Sequence, residues 1–279
     1  MYYSNLFDQI DLCQEGRDLF NRLHSRNIDE NAAYAAYQES DEAFVAYLDT
    51  FAAAHNVDVS EANLYLYLLF SKKTYAYYKS KGIDDSVFFT SMKVLAWDCN
   101  ICYEKTGFYG IRQVTYRAWF RRVINGTIFR LGRLEFEIID SLYDFDLDGH
   151  HISKGDTCIY VHIPGGTPLN YEECEAAYDT ARKFFKKHFQ FDPVIFYCGS
   201  WLLHPWLSEE LPATSRIVIF QSQFQLVDVV EHEETVRNWL FDHSTAPFED
   251  LPENTSLQKI GKQRFLNGQP MGYGRGYRF

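Results

Sequence analysis

The chain has 279 residues, of which 46% are hydrophobic and 23% are charged, and its net charge is −11. This length predicts two domains, and the composition is typical of a globular protein. The acidic balance argues against nucleic acid as a partner, because binding to a phosphate backbone needs an excess of Lys and Arg. The sequence shows no signal-peptide pattern and no apolar run long enough to cross a bilayer, so we expect a cytoplasmic protein without membrane association.

Residues 1–125 are expected to form a helical domain. Helical periodicity covers five stretches, residues 5–26, 31–55, 60–81, 84–104 and 110–124. Gly82 and Gly107 follow two of them, where helices commonly end. The six cysteines are scattered, and the pair Cys99 and Cys102 has no second ligand pair at zinc spacing, so no metal site is predicted.

Residues 126–279 have the pattern of a mixed α/β domain. The segment RLGRLEFEII alternates, which places Arg133, Glu135 and Glu137 on one strand face, and CIYVHIP is a suitable antiparallel partner. An amphipathic helix, EECEAAYDTARKFFKKHF, then separates this strand from VIFYCGS, which predicts a right-handed crossover between parallel strands. Further on, the sequence predicts a strand at 217–230, helices at 233–241 and 256–266, and an edge strand in MGYGRGYRF.

The carboxyl ends of the two parallel strands mark a candidate ligand site, because ligands of open α/β sheets bind at that edge. The first strand runs into HIPGGTPLN, where a glycine pair permits close approach of a ligand and the following helix start offers N–H donors to phosphate. The alternative is that Asn170 caps this helix, while Glu172 and Glu173 place negative charge where a phosphate would bind.

Three side chains at this edge have chemistry suited to catalysis. His162 is a candidate general base, although a buried histidine that only bonds a neighbouring loop fits equally well. Cys198 and Ser200 are candidate nucleophiles, but YCGSW lacks the GxSxG pattern of the α/β-hydrolases.

Three segments carry a resemblance to a known family: WFRRVINGTIFRLGRLEFEI, GDTCIYVHIPGGTPL and CGSWLLHPWL. In these segments the chain resembles a family of predicted bacterial acyltransferases that join a helical N-acyltransferase N-terminal domain to a GNAT-like C-terminal domain. The resemblance implies an α+β fold, with an all-helical domain at 1–125 followed by a GNAT-like mixed α/β domain at 126–279 that contains a central βαβ unit.

The resemblance also implies a reaction, the transfer of an acyl group from acyl-CoA to an amine or other small-molecule acceptor without a metal. The strands that end at His162 and Ser200 would separate and admit the pantetheine. His162 or Glu135 would be the base, and Tyr197 or Ser200 the acid. The cofactor-binding loop would comprise Ile163, Pro164, Gly165, Gly166 and Thr167. A separate hypothesis, which does not come from the resemblance, is a hydrolase that uses Cys198 or Ser200 with His162.

The alternative is a non-catalytic GNAT-like binding or scaffolding protein. In such a protein, side chains such as Trp201 or Trp206 would fill the space between the separated strands. The sequence gives no prediction of the oligomeric state.

Overall fold

The structure is a computed structural model that describes residues 2–26, 28–147 and 149–279, without the side chains of 113–117. Its internal contacts divide the chain into two compact units, Met1–Arg130 and Leu131–Phe279. The sequence placed the boundary after residue 125. A helical region followed by a mixed α/β region confirms the predicted fold class.

Up to residue 127, the elements of the first unit that the structure describes are α-helices. They are α1 (Tyr2–Gln9), α2 (Gln14–His24), α3 (Glu30–Glu39), α4 (Asp41–His55), α5 (Val59–Ser80), α6 (Asp85–Thr106) and α7 (Gln113–Ile124). Two predicted helices are each split in two. Asp11 takes a positive φ of 58° between α1 and α2, and Ser40 is extended between α3 and α4, where its hydroxyl caps α4 by accepting from the Ala43 amide.

Helix α5 carries the most apolar run of the chain, Leu64–Phe70, and every residue of that run is buried. A helix that is apolar on all sides is either the centre of a core or a membrane span. Within the described parts of the chain, no helix combines the length and hydropathy needed to cross a membrane. Helix α5 is therefore the core helix of this unit, and α2, α4, α6 and α7 all contact it.

A buried ion pair joins α6 to the start of α7. The Asp98 carboxylate is only 1% exposed and accepts from the Arg112 Nε at 2.8 Å and from the Arg112 amide at 3.1 Å. Removal of one partner of a buried pair leaves a desolvated charge, so we expect Arg112→Met to lower the free energy of unfolding by about 3 kcal/mol. Denaturant unfolding measures this change.

The matched control for that prediction is Lys93→Met, which lies on α6, the helix of Asp98. Lys93 pairs with Asp11 at 2.7 Å, but both side chains are more than half exposed. An exposed pair contributes about 0–1 kcal/mol. Equal losses in the two variants would contradict the argument from burial.

The second unit contains a sheet with helices. Strand β1 (Ile128–Leu131) crosses the division between the units. The remaining strands are β2 (Leu134–Asp140), β3 (Phe145–Leu147), β4 (His150–Ile152), β5 (Thr157–His162), β6 (Phe196–Ser200), β7 (Gln225–Glu231) and β8 (Gly272–Arg278). The helices are α8 (Tyr171–Phe189), α9 (Trp206–Glu210), α10 (Arg216–Gln221), α11 (Glu233–Leu240) and α12 (Ser256–Leu266), with 3-10 turns at Trp201–Leu203 and Phe248–Asp250.

Within this unit the strands lie in the order β2-β5-β6-β8-β7. Strand β5 pairs with β2 in the antiparallel sense and with β6 in the parallel sense. Helix α8 connects β5 to β6, which confirms the predicted βαβ unit. Strand β8 was predicted at an edge, which is wrong, since it lies between β6 and β7. Its glycines permit this position: a Cβ on Gly274 would lie 2.5 Å from the Leu203 carbonyl oxygen.

A second correction concerns residues 217–221, where the alternation predicted a strand, because they belong to the helix α10 (Arg216–Gln221). The Phe220 and Phe224 rings lie 5.3 Å apart, and this spacing of four residues suits a helical turn as well as it suits alternation. Only the later part of the predicted strand forms β7.

The sheet has two faces that differ in what covers them. On the helix-side face, Phe136 and Phe196 contact Tyr178 of α8. On the hairpin-side face, the β3–β4 hairpin lies against the sheet, with the Phe145 ring stacked on Tyr277 at 3.7 Å. Because successive residues of a strand point to opposite faces, each candidate residue belongs to one of the two.

Candidate functional site

Strands β5 and β6 separate at their carboxyl ends. Their pairing joins Ile159 to Phe196 and Tyr160 to Tyr197, and among the described residues it goes no further, although β5 continues to His162 and β6 to Ser200. The Tyr160 hydroxyl spans the gap and donates to the Gly199 carbonyl oxygen at 2.8 Å. Extended ligands commonly lie along strand edges of this kind.

A histidine–carboxylate pair lies at the end of β5 on the hairpin-side face. The His162 Nε2 is 2.8 Å from Glu137 Oε2, and these side chains are 15% and 8% exposed. The imidazole also stacks on the Tyr160 ring, with centroids 4.2 Å apart. A buried carboxylate on one ring nitrogen fixes the orientation of the ring.

The sequence proposed Glu135 as a base and did not single out Glu137. Glu135 lies directly opposite His162 in the strand register, whereas Glu137 lies opposite Tyr160 and reaches the imidazole diagonally. Both glutamates are buried on the same face. The alternation of β2 identified that face, but only the register and the side-chain conformations show that Glu137 bonds the ring.

Tyr197 lies on the same face as His162, beside the gap. Its ring is 5.0 Å from the Tyr160 ring, and the side chain is buried. Burial raises the pKa of the Tyr197 hydroxyl above its ordinary value, so the group stays protonated at neutral pH. It can therefore donate a hydrogen bond to an atom that develops negative charge.

Cys198 and Ser200 belong to the opposite, helix-side face. Cys198 is fully buried, and burial raises the pKa of its thiol, which disfavours the thiolate. The Ser200 hydroxyl accepts from the Leu202 amide at 3.2 Å and so caps the turn Trp201–Leu203. Neither side chain hydrogen-bonds to His162, so the contact that a nucleophile and its base require is not formed.

The loop from Ile163 to Thr167 leaves the end of β5 and leads to α8. Gly165, Gly166 and Thr167 are exposed, and a Cβ on either glycine would meet no atom within 4 Å. Gly166 has a φ of +83°, a backbone conformation that favours glycine, whereas the φ of Gly165 is not positive. Within the described part of the chain, the amides of these three residues donate to no acceptor.

The start of α8 is partly satisfied by its own cap, as the alternative interpretation of this loop expected. The Asn170 Oδ1 accepts from the Glu172 amide at 3.0 Å. This bond uses one donor of the first turn, and the loop amides before it stay available.

The two tryptophans that could have filled the gap lie elsewhere. Trp206 is fully buried in a core cluster with Phe265 and Met271, and Trp201 packs against the same cluster, which contains no residue of β5 or β6.

Across the residues that the structure describes, no three His, Cys, Asp or Glu side chains converge as metal ligands would.

Two family models match the chain in succession. Residues 1–126 match a model described as an N-acyltransferase N-terminal domain, and residues 128–278 match one described as a GNAT-like C-terminal domain. A comparison with curated proteins gives no match.

Several solved structures share the fold over 99% of this chain. One, described as an acyltransferase in complex with decanoyl-CoA and teicoplanin, is 19% identical, has a TM-score of 0.73 and is covered over 86% of its length. A second, an acyltransferase in complex with CoA and 10C-teicoplanin, is 18% identical with a TM-score of 0.73 and 86% coverage. A third, in complex with decanoyl-CoA, is 20% identical with a TM-score of 0.71 and 86% coverage.

Proposed function

Because the chain belongs to the family with a GNAT-like C-terminal domain preceded by an N-acyltransferase N-terminal domain, we propose that it transfers an acyl group from an acyl-CoA to an amine. The observation that carries this proposal is the separation of β5 and β6 between the histidine–carboxylate pair and an exposed glycine loop. The acyltransferases with the same fold are in complex with CoA derivatives, which supports the choice of donor.

In this proposal the pantetheine arm lies in the gap between β5 and β6, and the diphosphate of CoA binds the loop at Gly165 and Gly166. The arm is an extended chain with amide groups, so it can form hydrogen bonds with the main chain of the two strands where they no longer pair with each other. The loop amides and the start of α8 provide donors to phosphate oxygens.

The chemical step divides between two side chains on the hairpin-side face. His162, held by Glu137, accepts a proton from the amine nitrogen as that nitrogen attacks the thioester carbonyl carbon. The C–N bond forms, the C–S bond breaks, and the Tyr197 hydroxyl donates a hydrogen bond to the departing sulfur. The thiolate then takes up the proton that His162 accepted, which gives free CoA and returns the imidazole to its neutral form. Cys198 has no role in this scheme, since direct attack needs no nucleophile from the protein.

The non-catalytic alternative is not favoured. A scaffold has no need of a buried imidazole–carboxylate pair at the mouth of a strand gap, and such a pair costs free energy on desolvation. The tryptophans expected to close the gap contribute to another core.

The test is calorimetric titration of the full chain with CoA and with acetyl-, octanoyl- and decanoyl-CoA, followed by mass spectrometry of a panel of amines incubated with whichever acyl-CoA binds. We expect saturable binding and at least one acylated amine. Absence of heat at millimolar concentrations of all four compounds would contradict the proposal.

A further inference from the structure

One buried arginine lies beneath the glycine loop. Arg133 occupies the turn between β1 and β2 and is 8% exposed. Its guanidinium donates to three main-chain carbonyls of the loop: from Nη1 to Pro164 at 2.9 Å, from Nη2 to Thr167 at 2.8 Å, and from Nε to Pro168 at 3.0 Å. A planar fork of donors is suited to hold several acceptors at fixed angles.

These three bonds determine which way the loop amides point. In a trans peptide the C=O and the following N–H lie on opposite sides of the bond. Since the Pro164 carbonyl points at the guanidinium, the Gly165 N–H points away from it, and the Pro168 carbonyl fixes the Leu169 N–H in the same way. The residue after Thr167 is Pro168, which has no N–H. The bond from Arg133 to the Thr167 carbonyl therefore orients no amide donor.

We propose that Arg133 is a positioning residue for the diphosphate of the acyl donor: it holds the amides of Gly165 and Leu169 toward the ligand and places its positive charge behind the loop. This inference rests on the function proposed above. Glu172 and Glu173, both exposed in the first turn of α8, oppose anion binding there. A fixed cation behind the loop offsets their charge, and Arg133 supplies it.

The experiment compares two donors that differ in the diphosphate. The affinities of decanoyl-CoA and of S-decanoyl-pantetheine, which lacks the diphosphate and the nucleoside, are measured for the wild type, Arg133→Met and Arg133→Lys. We expect Arg133→Met to weaken decanoyl-CoA binding by roughly 10- to 100-fold, since two oriented amide donors and one charge are lost. The affinity for the pantetheine ester should stay within about twofold.

The lysine variant separates positioning from charge. Lysine keeps the positive charge but presents a single ammonium in place of a planar fork, so it cannot hold three carbonyls in the same geometry. We expect an intermediate loss of decanoyl-CoA affinity and faster amide hydrogen exchange over residues 163–170. A lysine variant that matches the wild type in both measurements would overturn the positioning role.

Arg182→Met is the matched control. This substitution removes the same single positive charge from the second unit. Arg182 lies on α8, about 16 Å from the start of that helix. We expect it to leave decanoyl-CoA affinity within about twofold. A wild type that binds neither donor overturns the proposed function and this inference together, whereas a wild type that binds decanoyl-CoA no better than Arg133→Met overturns the inference alone.

Discussion

We expect His162→Gln to lower kcat/KM for acyl transfer by about 10²- to 10⁴-fold, the range that a positioned general base contributes, while acyl-CoA affinity changes by less than about threefold. Glutamine is close to histidine in size and can keep the hydrogen bond to Glu137, but it cannot accept a proton from an amine. The loss should therefore fall on kcat. The measurement is steady-state kinetics with the amine that the mass-spectrometric screen identifies.

Glu137→Gln tests the second member of the pair. Its carboxylate bonds the imidazole, and in the proposed reaction it acts on the substrate only through His162, so we expect a smaller loss, about 10- to 100-fold in kcat. A variant with the same loss as His162→Gln would mean that the two residues act as a unit.

The chain offers a matched control for both substitutions. His151 and Asp146 form a second histidine–carboxylate pair, 2.9 Å apart, on the β3–β4 hairpin, but its side chains are 63% and 82% exposed. We expect His151→Gln to retain full activity. If His162→Gln kept wild-type activity, His162 would not be the general base, whatever the outcome of the control.

The second large effect is expected at the loop. Gly165→Asp should weaken acyl-CoA binding by about 10- to 100-fold, because a carboxylate would lie beside the diphosphate, and two like charges about 4 Å apart repel by about 1 kcal/mol in water and more near a protein surface. Gly165 has neither a positive φ nor crowded surroundings, so the folded chain accommodates the new side chain.

Gly165→Asn distinguishes charge from bulk. Asparagine is nearly equal to aspartate in size and carries no charge, so we expect a loss of less than about fivefold. High salt should reduce the difference in acyl-CoA affinity between the Asp and Asn variants, since it screens exposed charges. Equal affinities of the Asp and Asn variants in low salt would show that no anionic group binds next to residue 165. Calorimetric titration at two salt concentrations gives all four values.

Hydrophobic periodicity was sufficient for much of the fold and insufficient at particular places. It predicted α8 and both parallel strands, because an amphipathic helix and an alternating strand each bury one face. It merged α1 with α2 and α3 with α4, since the breaks depend on the backbone of Asp11 and Ser40, and neither residue interrupts the apolar pattern. It also placed β8 at an edge, because the order of strands in a sheet depends on contacts between distant segments.

The sequence by itself determined which residues lie on one face of each strand and which segments meet at the candidate edge of the sheet. The spacing of two put Glu135 and Glu137 on one face of β2 and put Tyr160 and His162 on one face of β5. The βαβ order brought the glycine loop and the end of β6 to the same edge. Tertiary structure alone decided which of these groups touch. The strand register and side-chain packing selected Glu137 as the partner of His162, turned Cys198 and Ser200 to the opposite face, and brought Arg133 beneath a loop more than 30 residues later in the chain. Local pattern fixes the direction of a side chain, but contacts between segments far apart in sequence depend on how the whole sheet pairs, and no short window of sequence contains that information.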